Sequence, residues 1–241
     1  MIDSGIITSD PSLGSVVISQ IDFTGEGVYD YALHGTLVAK IISSVATGSS
    51  LLNVKAVDRY GDVDEIVVFQ SLEWSFDNSA DIANLSLGFQ RECRGDCWLC
   101  QFVDVLVERG MTIVAAAGNW GPSGDTISCP GNSARAVTVG ATEAGSVAPY
   151  SSRGRYDQVK PDLVAPGTIE IGRFRFNGTS ISTPMVSGIL ASLYGAYDPQ
   201  KVLSSLSIGC VDLGSPRNQQ GYGQIDARKI LEVLGHGKDN G

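Results

Sequence analysis

The chain has 241 residues, 43% hydrophobic and 18% charged, a balance that supports a packed core and excludes disorder over most of its length. The formal net charge of −9 argues against a nucleic-acid partner, because a phosphate-backbone binder needs a basic face. No apolar run reaches the ~18 residues that span a bilayer, so no membrane partner is expected.

The opening MIDSGI lacks a basic segment followed by an apolar one, so no signal peptide is expected and the cytoplasm is the expected location. Asp3 follows what would be the end of a strand. Behind His34-Gly35-Thr36, the residues Leu37, Val38, Ile41, Ile42 and Val45 recur at helical spacing. Short apolar runs at Leu52 to Val57, Ile82 to Leu87, Met111 to Ala116 and Ala136 to Val139 read as buried parallel strands. Phe102, Val105 and Leu106 form a second helical pattern that stops at Gly110. Met185, Val186, Ile189, Leu190 and Leu193 form a third. Strands alternating with helices over residues 1–241, without a linker or repeat, predict one α/β domain. The expected architecture is a three-layer sandwich with a mostly parallel central sheet and helices on both faces. Sites in such sheets gather at the carboxyl ends of strands.

Ser180, in Gly178-Thr179-Ser180-Ile181-Ser182-Thr183-Pro184, opens a helix. There its hydroxyl lies near unpaired backbone N–H groups, and the positive helix end favours a developing oxyanion. Pro184 is expected in the first turn, where its missing N–H is not needed. A serine hydroxyl needs a base to take its proton. The chain has 2 histidines, and His236 sits in the Gly-flanked tail GHGKDNG, which is expected to be mobile. That leaves His34 as the base, with Asp3 as a candidate carboxylate to hold its tautomer. Asn119 ends the run Ala115-Ala116-Ala117-Gly118, where a side-chain amide can donate to an oxyanion and small residues leave room for a substrate side chain.

Singly, each segment has an ordinary reading: DSG as a turn, HGT as a helix start, GTS as a cap. Together, in the order DSG, HGT, SLG, AAAGN, DLVAPG, GTSISTP, the chain resembles the subtilisin-like serine proteases over nearly its whole length. The resemblance implies a serine endopeptidase acting on peptides or proteins through an acyl-enzyme, without a cofactor. It implies Ser180 as nucleophile, His34 as general base and acid, Asp3 as its orienter and Asn119 as oxyanion donor. It also implies Gly61-Asp62-Val63 and Leu87-Gly88 as edges pairing with the substrate, with Ala116, Ala117 and Gly118 walling a pocket that has Ser128 near its base. The alternatives are an inactive peptide-binding module on the same fold and a protease dedicated to peptide maturation.

Two departures from the family pattern carry expectations. Only Met1 and Ile2 precede Asp3, so the first strand is expected to be largely missing, to leave unpaired backbone beside Asp3, and to be covered by a second chain, another copy or a local rearrangement. The turn Thr47-Gly48-Ser49-Ser50 leaves no room for the family's calcium loop after the histidine helix. Asp62, Asp64 and Glu65 have two readings: an acidic helix start, or carboxylates that select basic substrate residues.

Of the 5 cysteines, Cys93, Cys97 and Cys100 cluster, while Cys129 and Cys210 stand apart. With no fourth ligand nearby in sequence, the cluster is expected to form a disulfide or remain thiol, without a metal or iron–sulfur cluster. The sequons at Asn84 and Asn177 are expected to be chance, the first lying in a buried strand and the second beside the nucleophile.

Overall fold

The computed structural model describes residues 1–236; of the tail GHGKDNG expected to be mobile, Gly235 and His236 end a helix and residues 237–241 lie outside the described residues. In chain order the elements are β1 (Ile2–Asp3), β2 (Val17–Asp22), α1 (His34–Val45), β3 (Leu51–Lys55), α2 (Glu65–Asp77), β4 (Ile82–Leu85), α3 (Trp98–Glu108), β5 (Thr112–Ala116), β6 (Val137–Glu143), β7 (Ser146–Val147), β8 (Leu163–Pro166), β9 (Thr168–Ile171), β10 (Phe174–Asn177), α4 (Thr179–Tyr194), α5 (Pro199–Ser205), β11 (Cys210–Val211), α6 (Arg217–Gln220), β12 (Gln224–Ile225) and α7 (Ala227–His236). The main sheet has the order β11-β12-β8-β6-β5-β4-β1-β3-β2, with β7 on β6. Pairing is parallel from β12 to β2, while β11 and β7 run antiparallel to their partners. A separate β9–β10 hairpin leads into α4.

Successive residues of a strand face opposite sides of the sheet. Ile113 and Ala115 of β5 accordingly pack with Leu72 of α2 and Val103 of α3. Val114, between them, packs with Val186 and Leu190 of α4. Both faces are covered, so β4, β5 and β6 are mostly apolar, with Asn84, Thr112, Thr138 and Thr142 as buried polar exceptions. Each fully buried Ile, Leu or Val side chain contributes roughly 1.5–3 kcal/mol, and these contacts hold the layers together.

The backbone beside Asp3 corrects one expectation. Strand β1 is short, but it is central and paired on both sides: Ile2 stands opposite Val54 of β3 and Leu85 of β4, and Asp3 opposite Lys55. Val54 donates to the Met1 carbonyl at 3.0 Å and Ala56 to the Asp3 carbonyl at 2.8 Å. Ile2 and Asp3 are buried at 0% and 1% exposure, so the Asp3 end of the strand is fixed. The gap lies at the other end. There a cavity of about 460 Å³, lined in part by Met1, Leu51, Leu52, Ile82 and Asn84, separates the first halves of β3 and β4.

Helices α1 and α4 lie side by side and point the same way. Leu37 and Ile41 pack on Ile181, with Met185 against them. Farther along, Gly188 approaches Val45, and Ser192 Oγ donates to the Val45 carbonyl at 3.0 Å. The first turns of both helices, with His34 and Ser180, therefore open at the same end of the sheet.

Candidate active site

His34 is the first residue of α1, and its Nδ1 lies 2.7 Å from Asp3 Oδ1. The same oxygen accepts the Ser4 backbone N–H at 2.7 Å, while Asp3 Oδ2 is buried without a hydrogen-bond partner among the described residues. The carboxylate's charge is thus balanced largely through the imidazole. Its attraction raises the His34 pKa above 6.5; partial burial of the ring opposes the rise and Asp30 adds to it. With Nδ1 held by Asp3, the tautomer leaves Nε2 free to take a proton.

The start of α1 is fixed by Asp30, a residue the motifs did not point to. Its fully buried carboxylate accepts from Leu33 N at 2.9 Å, Thr36 N at 2.8 Å, Thr36 Oγ1 at 2.7 Å and Ser4 Oγ at 2.8 Å. Ser4 Oγ in turn accepts from Gly35 N at 2.9 Å. Orphan N–H groups of the helix start are thereby satisfied by one side chain and by a hydroxyl from the turn after β1. Gly35 permits the contact: a Cβ there would lie 2.2 Å from the Gly5 carbonyl oxygen.

Ser180 is the second residue of α4, so the helix leaves its backbone N–H unpaired. Asn119 follows β5, and its Oδ1 accepts from Thr179 N at 2.9 Å and Thr179 Oγ1 at 3.1 Å. That assignment turns Nδ2 toward the cleft. Thr179 Oγ1 also accepts from Gly118 N at 3.2 Å, so one threonine ties the oxyanion candidate to the nucleophile's helix. A Cβ on Gly178 would sit 3.1 Å from Ser180 Oγ and 3.3 Å from Asn119 Nδ2. Glycine keeps open the space that a reacting carbonyl oxygen would need.

Pro184 departs from its expected place. It is the sixth residue of α4, beyond the first turn, and lies within the helix. Lacking an N–H, it leaves the Ser180 carbonyl without its i+4 donor. Ser86 Oγ donates to that carbonyl instead, at 3.3 Å. Ser86 immediately precedes Leu87-Gly88, so the helix irregularity links the nucleophile to the expected substrate edge.

The expected pocket residues converge. Ser128 is buried at 1% exposure, and its Oγ donates toward the Ala116 and Ala117 carbonyls at 3.2 and 3.1 Å. A Cβ on Gly88 would lie 2.5 Å from Ser128 Oγ, so Gly88 and Ser128 are in close contact. Ala116 and Ala117 are buried where β5 ends, and Gly118 N is bonded to Thr179 as described. Gly61 and Asp62 are exposed in the turn after β3, and Val63 packs partly on the core.

The acidic trio divides. Asp64 is the N-cap of α2, accepting from Ile66 N at 2.7 Å, and Glu65 pairs with Arg91 at 2.6 Å. Asp64 thus fits the reading of an acidic helix start, Glu65 is engaged by Arg91, and no contact of this kind among the described residues holds the Asp62 side chain. The Asn84 sequon is closed to modification, since Asn84 is buried at 2% exposure and bonded to Ser86 and Ser187.

One premise of the cysteine expectation is corrected. Cys129, which sequence set apart, joins Cys93, Cys97 and Cys100 in a cluster whose sulfurs all lie within 4.8 Å of one another. This fourth sulfur comes from the loop after β5, which packs back on the start of α3. All 5 cysteines are free.

Comparison with known proteins agrees with this geometry. A model of the subtilase family matches residues 1–223. A subtilisin from Bacillus pumilus is 34% identical over 216 residues, which cover 82% of this chain and 76% of that protein. Subtilisin E from Bacillus subtilis (strain 168) is 33% identical over 216 residues, and the match spans only 55% of its length. Among solved structures, a point mutant of the protease domain of PatA matches with a TM-score of 0.81 and 25% identity, covering 98% of this chain and 94% of that one.

Proposed function

This chain belongs to the subtilase family, and from that premise we propose that it is an active serine endopeptidase. The observation that carries the reading is the 2.7 Å Asp3–His34 contact at the sheet end where Ser180, Asn119 and the Gly178 gap meet. In this reading Ser180 Oγ attacks a peptide carbonyl carbon while His34 Nε2 takes its proton. Asp3 stabilises the resulting imidazolium. The oxyanion receives hydrogen bonds from Asn119 Nδ2 and the Ser180 N–H, aided by the positive end of α4. His34 then protonates the leaving amine, and water, activated by the same imidazole, releases the acyl group from Ser180.

Substrates are peptides or proteins bound in extended form, with Gly61-Asp62-Val63 on one side and Leu87-Gly88 on the other. The side chain before the cleaved bond enters between Ala116–Gly118 and Gly88, over Ser128. The proposed location is the cytoplasm, and five free cysteines fit its reducing conditions. We assign the expected second chain to the 460 Å³ cavity, where an extended segment would lie between β3 and β4.

A fluorophosphonate probe tests the central claim. It should label the protein at Ser180 and fail on Ser180→Ala, with peptide hydrolysis lost in parallel. A folded wild-type chain that takes no label would instead be a peptide-binding module. Profiling with a peptide library separates general proteolysis, with many sequences cut, from dedicated peptide maturation, with one sequence class cut.

A further inference from the structure

We propose that Cys93, Cys97, Cys100 and Cys129 bind one Zn²⁺ ion that staples together the two loops carrying the pocket walls. Three of the ligands come from the segment after β4. Cys93 lies in the loop, Cys97 is the N-cap of α3, and Cys100 follows one turn later on the same side. Cys129 comes from the loop after β5. The sulfur separations are 3.6 Å for Cys93–Cys100, 3.2 Å for Cys97–Cys129 and 3.6 Å for Cys100–Cys129. A tetrahedral site with Zn–S bonds of ~2.3 Å has edges of about 3.8 Å. A disulfide joins two sulfurs at ~2.05 Å and gives no reason for four to converge.

Hydrogen-bond donors converge on the sulfurs. Arg91 Nη2 points at Cys97 Sγ from 2.9 Å and at Cys129 Sγ from 3.1 Å. Backbone N–H groups approach too, Gly95 N to Cys93 Sγ at 3.4 Å and Cys100 N to Cys97 Sγ at 3.5 Å. Donors aimed at the ligand sulfurs orient and stabilise them. On binding, each thiol gives its proton to water, and four thiolates around Zn²⁺ leave two negative charges that Arg91 partly offsets. Cys93, Cys100 and Cys129 are buried and Cys97 is partly exposed, and four sulfur ligands leave no open coordination position, so the site is structural rather than catalytic. An all-sulfur tetrahedron selects zinc or iron, and a hydrolase, whose reaction moves no electrons, needs only the redox-inert ion.

The position gives the ion its consequence, which rests on the protease reading above. Phe89, next to Gly88, pairs with Cys129 in both directions, at 2.8 and 3.0 Å. Cys129 directly follows Ser128. The ion would therefore hold Gly88 and Ser128 at their spacing from behind the pocket.

The test is elemental analysis of the untagged full chain, purified under reducing conditions. The expected result is about one zinc per chain, kept in Cys210→Ser and lost in Cys93→Ser, Cys97→Ser, Cys100→Ser and Cys129→Ser. Should those variants fail to fold, Co²⁺ added to the zinc-stripped wild-type chain should still give the intense visible bands of a tetrahedral thiolate site. Arg91→Ala should weaken zinc affinity roughly 10-fold or more in a chelator competition. A chain lacking metal whose intact mass shows two disulfides, a chain holding iron, or zinc retained by Cys129→Ser would each overturn the proposal. Fluorophosphonate labelling of the same samples reads the protease assignment separately.

Discussion

Thr179→Val removes a hydroxyl that sits between the proposed oxyanion donor and the backbone of its own loop. Valine keeps the shape but loses the 3.1 Å bond to Asn119 Oδ1 and the acceptor for Gly118 N at 3.2 Å. The Thr179 backbone N–H still holds Asn119 at 2.9 Å, so the amide is loosened rather than freed. One neutral hydrogen bond contributes about 0.5–1.5 kcal/mol, which is roughly a two- to twelvefold fall in kcat with little change in KM. The ceiling is the loss of the donor itself, about 10²–10³ in kcat, a magnitude taken from subtilisin. The orphaned Gly118 N–H should also lower stability by about 1–3 kcal/mol. The assay is steady-state hydrolysis of a chromogenic peptide by Thr179→Val, Thr179→Ser, Asn119→Ala and the Thr179→Val/Asn119→Ala pair. Thr179→Ser should recover most of kcat. If Thr179 acts through Asn119, the double variant should be no slower than Asn119→Ala alone. Additive losses would refute this coupling.

His34 gives a pH dependence whose sign is fixed. Its pKa is raised, chiefly by Asp3, so kcat/KM should fall as pH drops through a value above 6.5, and Asp3→Asn should move that limb to lower pH as it slows turnover. A raised folded-state pKa also means that the His34–Asp3 pair stabilises the fold fully below the ordinary histidine pKa and loses that contribution as pH rises through the folded value. Urea unfolding of Ser180→Ala across pH checks this, and a pH-independent difference from its Asp3→Asn derivative would contradict it. Ser86→Ala should destabilise by about 1–3 kcal/mol in urea, because the Ser180 carbonyl and the Asn84 amide both lose a partner, and an unchanged midpoint would count against the link to Pro184. Asp62 is exposed, so any preference for Lys or Arg in the facing substrate positions should be no more than about fivefold, shrink with salt and disappear in Asp62→Asn.

Locally encoded elements were the legible ones. Strands β4, β5 and β6 are mostly apolar because both faces are covered, and α1 shows its stripe because its outer face meets water. Helix α4 is marked by the spacing of its apolar residues and its start, expected at Ser180, lies one residue earlier at Thr179, yet Pro184 falls past the first turn as its sixth residue. Buried on most sides, that helix offers little polar contrast. Helix α2 had only its acidic start as a signal. What remained hidden were partners joined by the fold, since Asp30 reads as an ordinary loop aspartate until its four bonds to Ser4, Leu33 and Thr36 are seen.

The cysteines show why proximity in sequence misleads most where chemistry is densest. The reading counted ligands within one loop and stopped at three. In a parallel sheet, the loops following adjacent strands are spatial neighbours however long the helices between them. Strands β4 and β5 pair directly, with Leu85 opposite Ala115, so the segments that follow them converge. The same adjacency brings Gly88 to Ser128 and Phe89 to Cys129. The proposed substrate pocket and the sulfur cluster thus arise from one topological fact. Any constraint placed on the sulfurs acts on backbone that continues, within one residue, into the pocket base.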